Sequence, residues 1–161
     1  LGVLLCVVAE LLNDPFVVNS PGTDIVSIAR MYADLKDYDH AIALYEKGIE
    51  HELPSDAYLD ALMRFAGIFK RQKQTEKALS LWERAVELGS IDACEELAKF
   101  FEHQSRDYET AMKWTNEGFL CAEKAGLSKY QTHRVNEALQ HRLERLLGKW
   151  QKANDASTAE T

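Results

Sequence analysis

Apolar side chains recur along the chain in blocks with the three- and four-residue spacing of amphipathic helices, and short polar turns separate the blocks. The first block, LGVLLCVVAELL, is apolar on more than one helical face. With only 8 Gly and 3 Pro, the chain has too few turn residues for a sandwich or a barrel, so the pattern predicts helices. The last long block, residues 128–151, places one apolar stripe along a helix: Val135, Leu139, Leu143, Leu146, Leu147 and Trp150.

Three middle blocks resemble one another. Each has a small residue, an aromatic residue three positions later, a polar turn, and then a second small residue, which is Ala41, Ala78 or Ala111. Small residues at these places allow two antiparallel helices to approach closely while large side chains fill the space beside them. The second small residues are about 37 and about 33 residues apart. This spacing brackets the period of about 34 residues of tetratricopeptide repeats, and the blocks resemble that family.

The resemblance implies an all-α fold, a right-handed α-α superhelix of tetratricopeptide-like repeats. We predict about three helix pairs closed by a long C-terminal capping helix within residues 22–152, and a leading apolar helix over residues 1–14. Residues 153–161 are small and polar, so we predict a flexible tail there. The third block has one extra turn residue, which predicts a local irregularity in that repeat.

Helix ends are marked by capping residues. Ser128 and Gln131 have the spacing of a capping box, and Gly89 and Gly126 stand where a left-handed residue ends a helix. The residues in N-cap positions are Thr23, Ser55, Thr75, Ser90, Asp107 and Ser128.

Several segments are similar to a more specific family: YADLKDYDHAIALYEKGIE, FAGIFKRQKQTEKALSLWERAVE, ELAKFFEHQSRDYETAMKWTNEG and HRLERL, together with LLCVVAELLNDP near the start. They resemble the C-terminal half of bacterial RNase-H-like exonuclease-related proteins, in which tetratricopeptide-like helices follow a nuclease domain. The resemblance implies that residues 1–14 continue from an upstream nuclease domain that this chain does not contain. Apolar residues of that helix would then be covered by the upstream domain, or by a second copy of the chain in a homodimer.

Metal-dependent nucleases of this class hold divalent ions with carboxylates on strands, and the sequence has no such acidic set. We therefore expect a non-catalytic scaffold or protein-interaction module, accessory to the nuclease domain and without a cofactor. Its partner would be a protein, a peptide or the upstream domain itself.

The net charge and the cysteine content indicate which binding partners and which cellular compartment to expect. The net charge of -7 argues against a uniform attraction to nucleic acid or to an anionic membrane. Glu10 interrupts the opening apolar run well short of the ~20 residues that a membrane span needs. The three cysteines, Cys6, Cys94 and Cys121, lie far apart within apolar helical stretches, so we expect reduced core residues in a cytoplasmic protein.

Two arrangements resemble chemical sites. His133, Glu137 and His141 have the i, i+4, i+8 spacing of a metal site on one helical face, but that face is opposite the apolar stripe and is expected to meet water. Cys94 precedes two glutamates, and carboxylates raise the pKa of a thiol, which argues against a reactive cysteine. We therefore predict neither a metal site nor a catalytic residue.

Two basic surfaces are candidates for binding. A cationic groove could hold a peptide carboxylate, an acidic segment or a nucleic-acid strand, although ordinary solvated helix residues would give the same pattern. The positions that line the concave side of the related repeats carry Arg30, Met63, Lys70, Arg71, Lys99 and His103. The alternative function is a module that guides nucleic acid to the nuclease through the closing helix, and its candidate contacts are Arg134, Arg142, Arg145 and Lys149.

Overall fold

A computed structural model describes residues 21–159 of the chain. This part contains seven α-helices, one π-helical turn and no strand. The helix predicted over residues 1–14, and any homodimer through it, lie outside the described residues. No helix between residues 21 and 159 is long and apolar enough to cross a membrane. In chain order the elements are α1 (Gly22–Asp34), α2 (Tyr38–Gly48), α3 (Ser55–Arg71), α4 (Thr75–Glu87), α5 (Ile91–Phe100), the π-helical turn (Phe101–Ser105), α6 (Tyr108–Lys124) and α7 (Lys129–Ala159).

The chain forms two compact units, the first ending at Leu81 and the second beginning at Trp82. In the first unit α1 packs on α2, and α3 contacts both helices. The Tyr45 ring stacks on Phe65 with 5.5 Å between ring centroids. A Cβ atom added to Gly48 would lie 2.6 Å from Val26 Cγ1, so α1 and α2 meet closely at this small residue, as the repeat pattern predicted.

In the second unit α6 packs between α5 and α7. Leu139 and Leu146 of α7 are buried, which confirms the covering role of the closing helix. Leu147 was assigned to the same apolar stripe, but it is 44% exposed, so that assignment was wrong. The helix also runs to Ala159, beyond the end predicted at Lys152, because neither glycine nor proline interrupts residues 153–159.

The irregularity predicted in the third repeat is the π-helical turn. Its wider turn accommodates the extra residue of that block, and Arg106 follows in a left-handed conformation with φ 56°. The backbone N–H of Asp107 donates to the carbonyl of Phe101 at 2.9 Å and closes the turn. Glu102 lies within this turn and is buried.

Several predicted caps are confirmed. Ser90 accepts a hydrogen bond from the Ala93 N–H, Asp107 accepts one from the Thr110 N–H, and Ser128 pairs with Gln131 as a capping box. Gly89 and Gly126 have φ values of 84° and 63°, as expected for left-handed ends. Thr23, Ser55 and Thr75 instead lie inside their helices, and Pro21 and Pro54 occupy the N-cap positions of α1 and α3.

Candidate functional site

The groove residues predicted in the first unit differ in their surroundings. Arg30 of α1 is exposed and has no ion pair among residues 21–159. Arg71 of α3 donates to the hydroxyl of Tyr38 at 3.3 Å. Met63 and Lys70 also lie on α3, but neither lines the cavity that Arg30 lines. Arg30 is therefore the predicted groove residue that the first unit places at a cavity.

That cavity has a volume of about 140 Å³ and is built by three helices. Tyr45 of α2 is 1% exposed, and its hydroxyl has no hydrogen-bond partner among the described residues. Burial raises the pKa of Tyr45 to about 12, so the hydroxyl is neutral and able to donate at physiological pH. The lining residues are Thr23, Val26, Ser27 and Arg30 of α1, Tyr45 of α2, and Ala57, Asp60 and Ala61 of α3.

Two other polar side chains of the cavity, Asp60 and Ser27, already have partners. The two carboxylate oxygens of Asp60 accept a shared hydrogen bond from the Nε–H of Arg64, at 2.9 and 3.1 Å, and the guanidinium offsets the negative charge. Ser27 donates its hydroxyl to the carbonyl of Thr23 at 2.7 Å. Two donors of the cavity, the hydroxyl of Tyr45 and the guanidinium of Arg30, have no partner among residues 21–159. A ligand that matches these donors must present an acceptor oxygen, either of a carboxylate or of a carbonyl group.

Tyr45 was not among the predicted groove residues. Its place after a small residue in the repeat marked it as a large side chain that fills the core, and its ring does pack there. The sequence signal that could have identified it is the residue type, since the corresponding position of the next repeat is Trp82. A buried tyrosine brings a hydroxyl that requires a partner.

The groove residues predicted in the second unit are paired with carboxylates. Lys99 lies 3.0 Å from oxygens of both Glu95 and Glu96. Burial lowers the pKa of Lys99, but these hydrogen bonds outweigh it and raise the pKa overall. His103 is exposed and lies 3.7 Å from Glu102. These pairings reduce the capacity of both residues to attract a separate anion.

Three of the four cations predicted to contact nucleic acid converge on Glu102, which is 2% exposed. Arg145 and Lys149 each donate to it at 2.8 Å, and Arg142 donates at 3.4 Å. Burial by itself raises the pKa of Glu102, but the hydrogen bonds from Arg145 and Lys149 outweigh it and hold the pKa at about 2. Arg134 does not join them and lies 5.9 Å from the ring of Tyr130. We name Glu102, Arg142, Arg145 and Lys149 the Glu102 cluster.

The metal and thiol candidates have ordinary surroundings. His133, Glu137 and His141 are exposed, and no group of three His, Cys, Asp or Glu side chains among the described residues has a geometry that could hold a metal ion. Cys94 and Cys121 are buried free thiols whose sulfurs are 3.9 Å apart, although they are distant in sequence. Burial, and then the neighbouring Cys121, raise the pKa of Cys94, which makes its thiolate rare.

Comparisons with known proteins show the fold. No model of a protein family matches the chain, and no curated protein sequence matches it. The crystal structure of MamA, a tetratricopeptide-like helical protein, is similar with a TM-score of 0.54 and 15% identity, covering 91% of this chain and 86% of that one. The predicted all-α, tetratricopeptide-like repeat fold is therefore confirmed. The relation to RNase-H-like proteins finds no support in these comparisons.

Proposed function

We propose that the chain is a non-catalytic protein-interaction module whose first unit binds an acidic side chain or chain-terminal carboxylate of a partner polypeptide. The observation that carries the proposal is that Tyr45 and Arg30 line one cavity, and that neither the Tyr45 hydroxyl nor the Arg30 guanidinium has a partner within the described part of the chain. A carboxylate would accept from both groups, and a charge-assisted hydrogen bond is stronger than a neutral one. A carbonyl oxygen would form a weaker hydrogen bond with Arg30 because it carries no negative charge.

The size of the cavity supports a side chain as the ligand. Small-molecule and cofactor pockets usually measure ~300–1,000 Å³, whereas this cavity measures about 140 Å³. Repeat helices also present an extended surface on which the rest of a partner segment can lie. The remaining affinity would come from contacts outside the cavity.

The test uses fluorescein-labelled hexapeptide libraries in which one position is fixed as Glu, Gln or Lys. We expect the full chain to bind the Glu library most tightly in fluorescence anisotropy, and the Arg30→Gln and Tyr45→Phe variants to bind it at least about fivefold more weakly, equivalent to ~1 kcal/mol. Tyr45→Phe should leave folding stability unchanged or raised, because it removes a buried hydroxyl that has no partner among the described residues.

The control is Lys129→Gln, which removes one positive charge at the first residue of α7 and does not change a residue that lines the cavity. Binding that this control weakens as much as Arg30→Gln would point to general charge attraction and would contradict the proposal. Equal affinity for the Glu and Lys libraries would contradict it as well.

The nucleic-acid alternative is supported by the three cations of the Glu102 cluster, which outnumber the two carboxylates they pair with, Glu102 and Glu95. It predicts binding of a labelled single-stranded RNA that weakens steeply with salt and is reduced by Arg145→Gln. The proposed association with an RNase-H-like nuclease domain rests on the sequence resemblance alone. Cleavage of nucleic acid by the purified chain, abolished by a chelator, would contradict the non-catalytic function.

A further inference from the structure

A second, larger cleft lies within the second unit, where α4 ends and α6 runs. Its volume is about 670 Å³. All its lining residues come after Trp82, and none belongs to the groove or to the Glu102 cluster. They are Glu83, Val86 and Glu87 of α4, Leu88 and Gly89 of the following turn, Trp114, Glu117, Cys121 and Lys124 of α6, and Ala125.

The walls of this cleft combine apolar surface with the buried indole N–H of Trp114. Leu88 is 44% exposed, and Val86 and Trp114 are partly buried beside it. The indole N–H of Trp114 is buried and has no hydrogen-bond partner among residues 21–159. Since an indole N–H can only donate, its partner must be an acceptor such as a backbone carbonyl.

The polar groups of the cleft are mostly acidic. Glu83, Glu87 and Glu117 line it together with a single cation, Lys124. Glu83 and Glu87 are exposed and Glu117 is partly buried. Among the described residues none of the three carboxylates forms an ion pair. Their combined field favours a positively charged ligand.

We propose that this cleft is a second protein-binding site, which takes a partner segment carrying a lysine or arginine beside an apolar residue. The carboxylates hold the cationic head, and its aliphatic stem packs on Val86 and the ring of Trp114. An aromatic face attracts cations, and the ammonium of Lys113 already lies 5.9 Å from the centroid of this ring. A backbone carbonyl of the partner accepts from the indole N–H.

Charge complementarity with Glu83, Glu87 and Glu117 favours a basic segment of a partner polypeptide as the occupant, and residues 1–20 and 160–161 are not such a segment. Residues 1–20 contain Glu10 and Asp14 but neither lysine nor arginine, and residues 160–161 are Glu and Thr. The inference is independent of the proposed function, since the two sites share no residue and prefer opposite charges. A protein with both sites would bind one acidic and one basic partner segment, as a scaffold does.

The test uses the full chain and a labelled, acetylated and amidated hexapeptide of alternating Lys and Leu, with Gln–Leu and Glu–Leu peptides for comparison. We expect the Lys–Leu peptide alone to bind in fluorescence anisotropy. The double variant Glu83→Gln/Glu117→Gln should weaken its binding at least tenfold. The matched control is Glu76→Gln/Glu123→Gln, which changes the net charge equally on the same two helices but outside the cleft, and it should change affinity less than twofold.

The position of the bound peptide is checked by the indole N–H signals in a ¹H–¹⁵N spectrum, assigned with Trp114→Phe. We expect the Trp114 signal to move on binding and the Trp82 and Trp150 signals to stay, since Trp150 already donates to Glu109 at 3.0 Å. Three outcomes overturn the proposal: no binding of the Lys–Leu peptide, an equal loss of affinity in the two double variants, or a Trp114 signal that does not move.

Discussion

Glu102 is a buried carboxylate on which three cations converge, so its charge state affects stability. Hydrogen bonds to charged groups contribute ~1.5–3 kcal/mol, and we expect Glu102→Gln to lower the free energy of unfolding at pH 7 by about 2 kcal/mol. The folded pKa of about 2 lies below the ordinary value of 4.5, so this stabilisation is complete above pH 4.5 and is lost as the pH falls toward 2.

Urea unfolding of both proteins between pH 7 and pH 2.5 provides the measurement. The stability difference between wild type and Glu102→Gln should shrink steadily below pH 4.5. Glu137→Gln, which changes an exposed residue of the same closing helix, should show neither the loss at neutral pH nor the convergence. A difference that stayed constant with pH would mean that the cations do not stabilise the ionised form of Glu102.

The sequence could not identify Tyr45 or Glu102 as important polar groups. A helical pattern distinguishes apolar from polar positions, and it placed Tyr45 in the core by its ring. It could not show that the hydroxyl would lack a partner, because this depends on side chains of three helices. Glu102 is a buried residue of the π-helical turn, and the sequence signalled this turn only as one extra residue.

Two glycines in the first unit test the close packing of its helices. Gly48→Ala places a Cβ 2.6 Å from Val26 Cγ1, a stiff side chain, so we expect a loss of ~1–3 kcal/mol of stability. Gly67→Ala, in the interior of α3, meets nothing within 4 Å, so we expect a gain of up to ~1 kcal/mol from helix propensity. Equilibrium urea unfolding measures both effects. A Gly48→Ala variant as stable as Gly67→Ala would mean that α1 and α2 are further apart.

Among the elements, helix positions were well predicted and helix ends less so. Small residues such as Gly48 and Gly118 recur at the repeat period because helices meet there, and this signal is visible in one sequence. The turns were harder to predict, because Lys36, Lys73 and Arg106 adopt the left-handed backbone conformation in which glycine is usually found. Nothing in their residue type distinguishes them from solvated helix residues.

At the scale of the whole molecule, the repeat pattern predicted the fold class because each helix pair repeats one local packing solution. The similarity to MamA confirms that class at 15% identity, where the sequences have few residues in common. The proposed binding surfaces do not follow from the repeat in the same way. The acidic cleft depends on Glu83, Glu87 and Glu117, which come from two helices and differ from the small and aromatic residues that define the repeat.

The closing helix provides the test at this scale, since a terminal repeat needs a cover with a polar outer face. A chain ending after Gly126 loses Leu139 and Leu146, which are buried, and leaves Glu102 without Arg142, Arg145 and Lys149. An apolar face and a buried carboxylate without its cations are both strongly unfavourable. We therefore expect this shortened chain to aggregate in size-exclusion chromatography and to lose more helical circular dichroism signal than the deleted residues account for.

A matched truncation after Lys152 keeps the whole Glu102 cluster and Trp150, which donates to Glu109. It removes residues 153–161, none of which belongs to the Glu102 cluster, so it should elute as the full chain does and lose far less stability than the chain that ends after Gly126. If both truncations behaved like the full chain, α7 would contribute little to the second unit. If both aggregated, residues 153–161 would be part of the cover, and the helical segment up to Ala159 would have a structural role that the contacts of Lys149 and Trp150 do not explain.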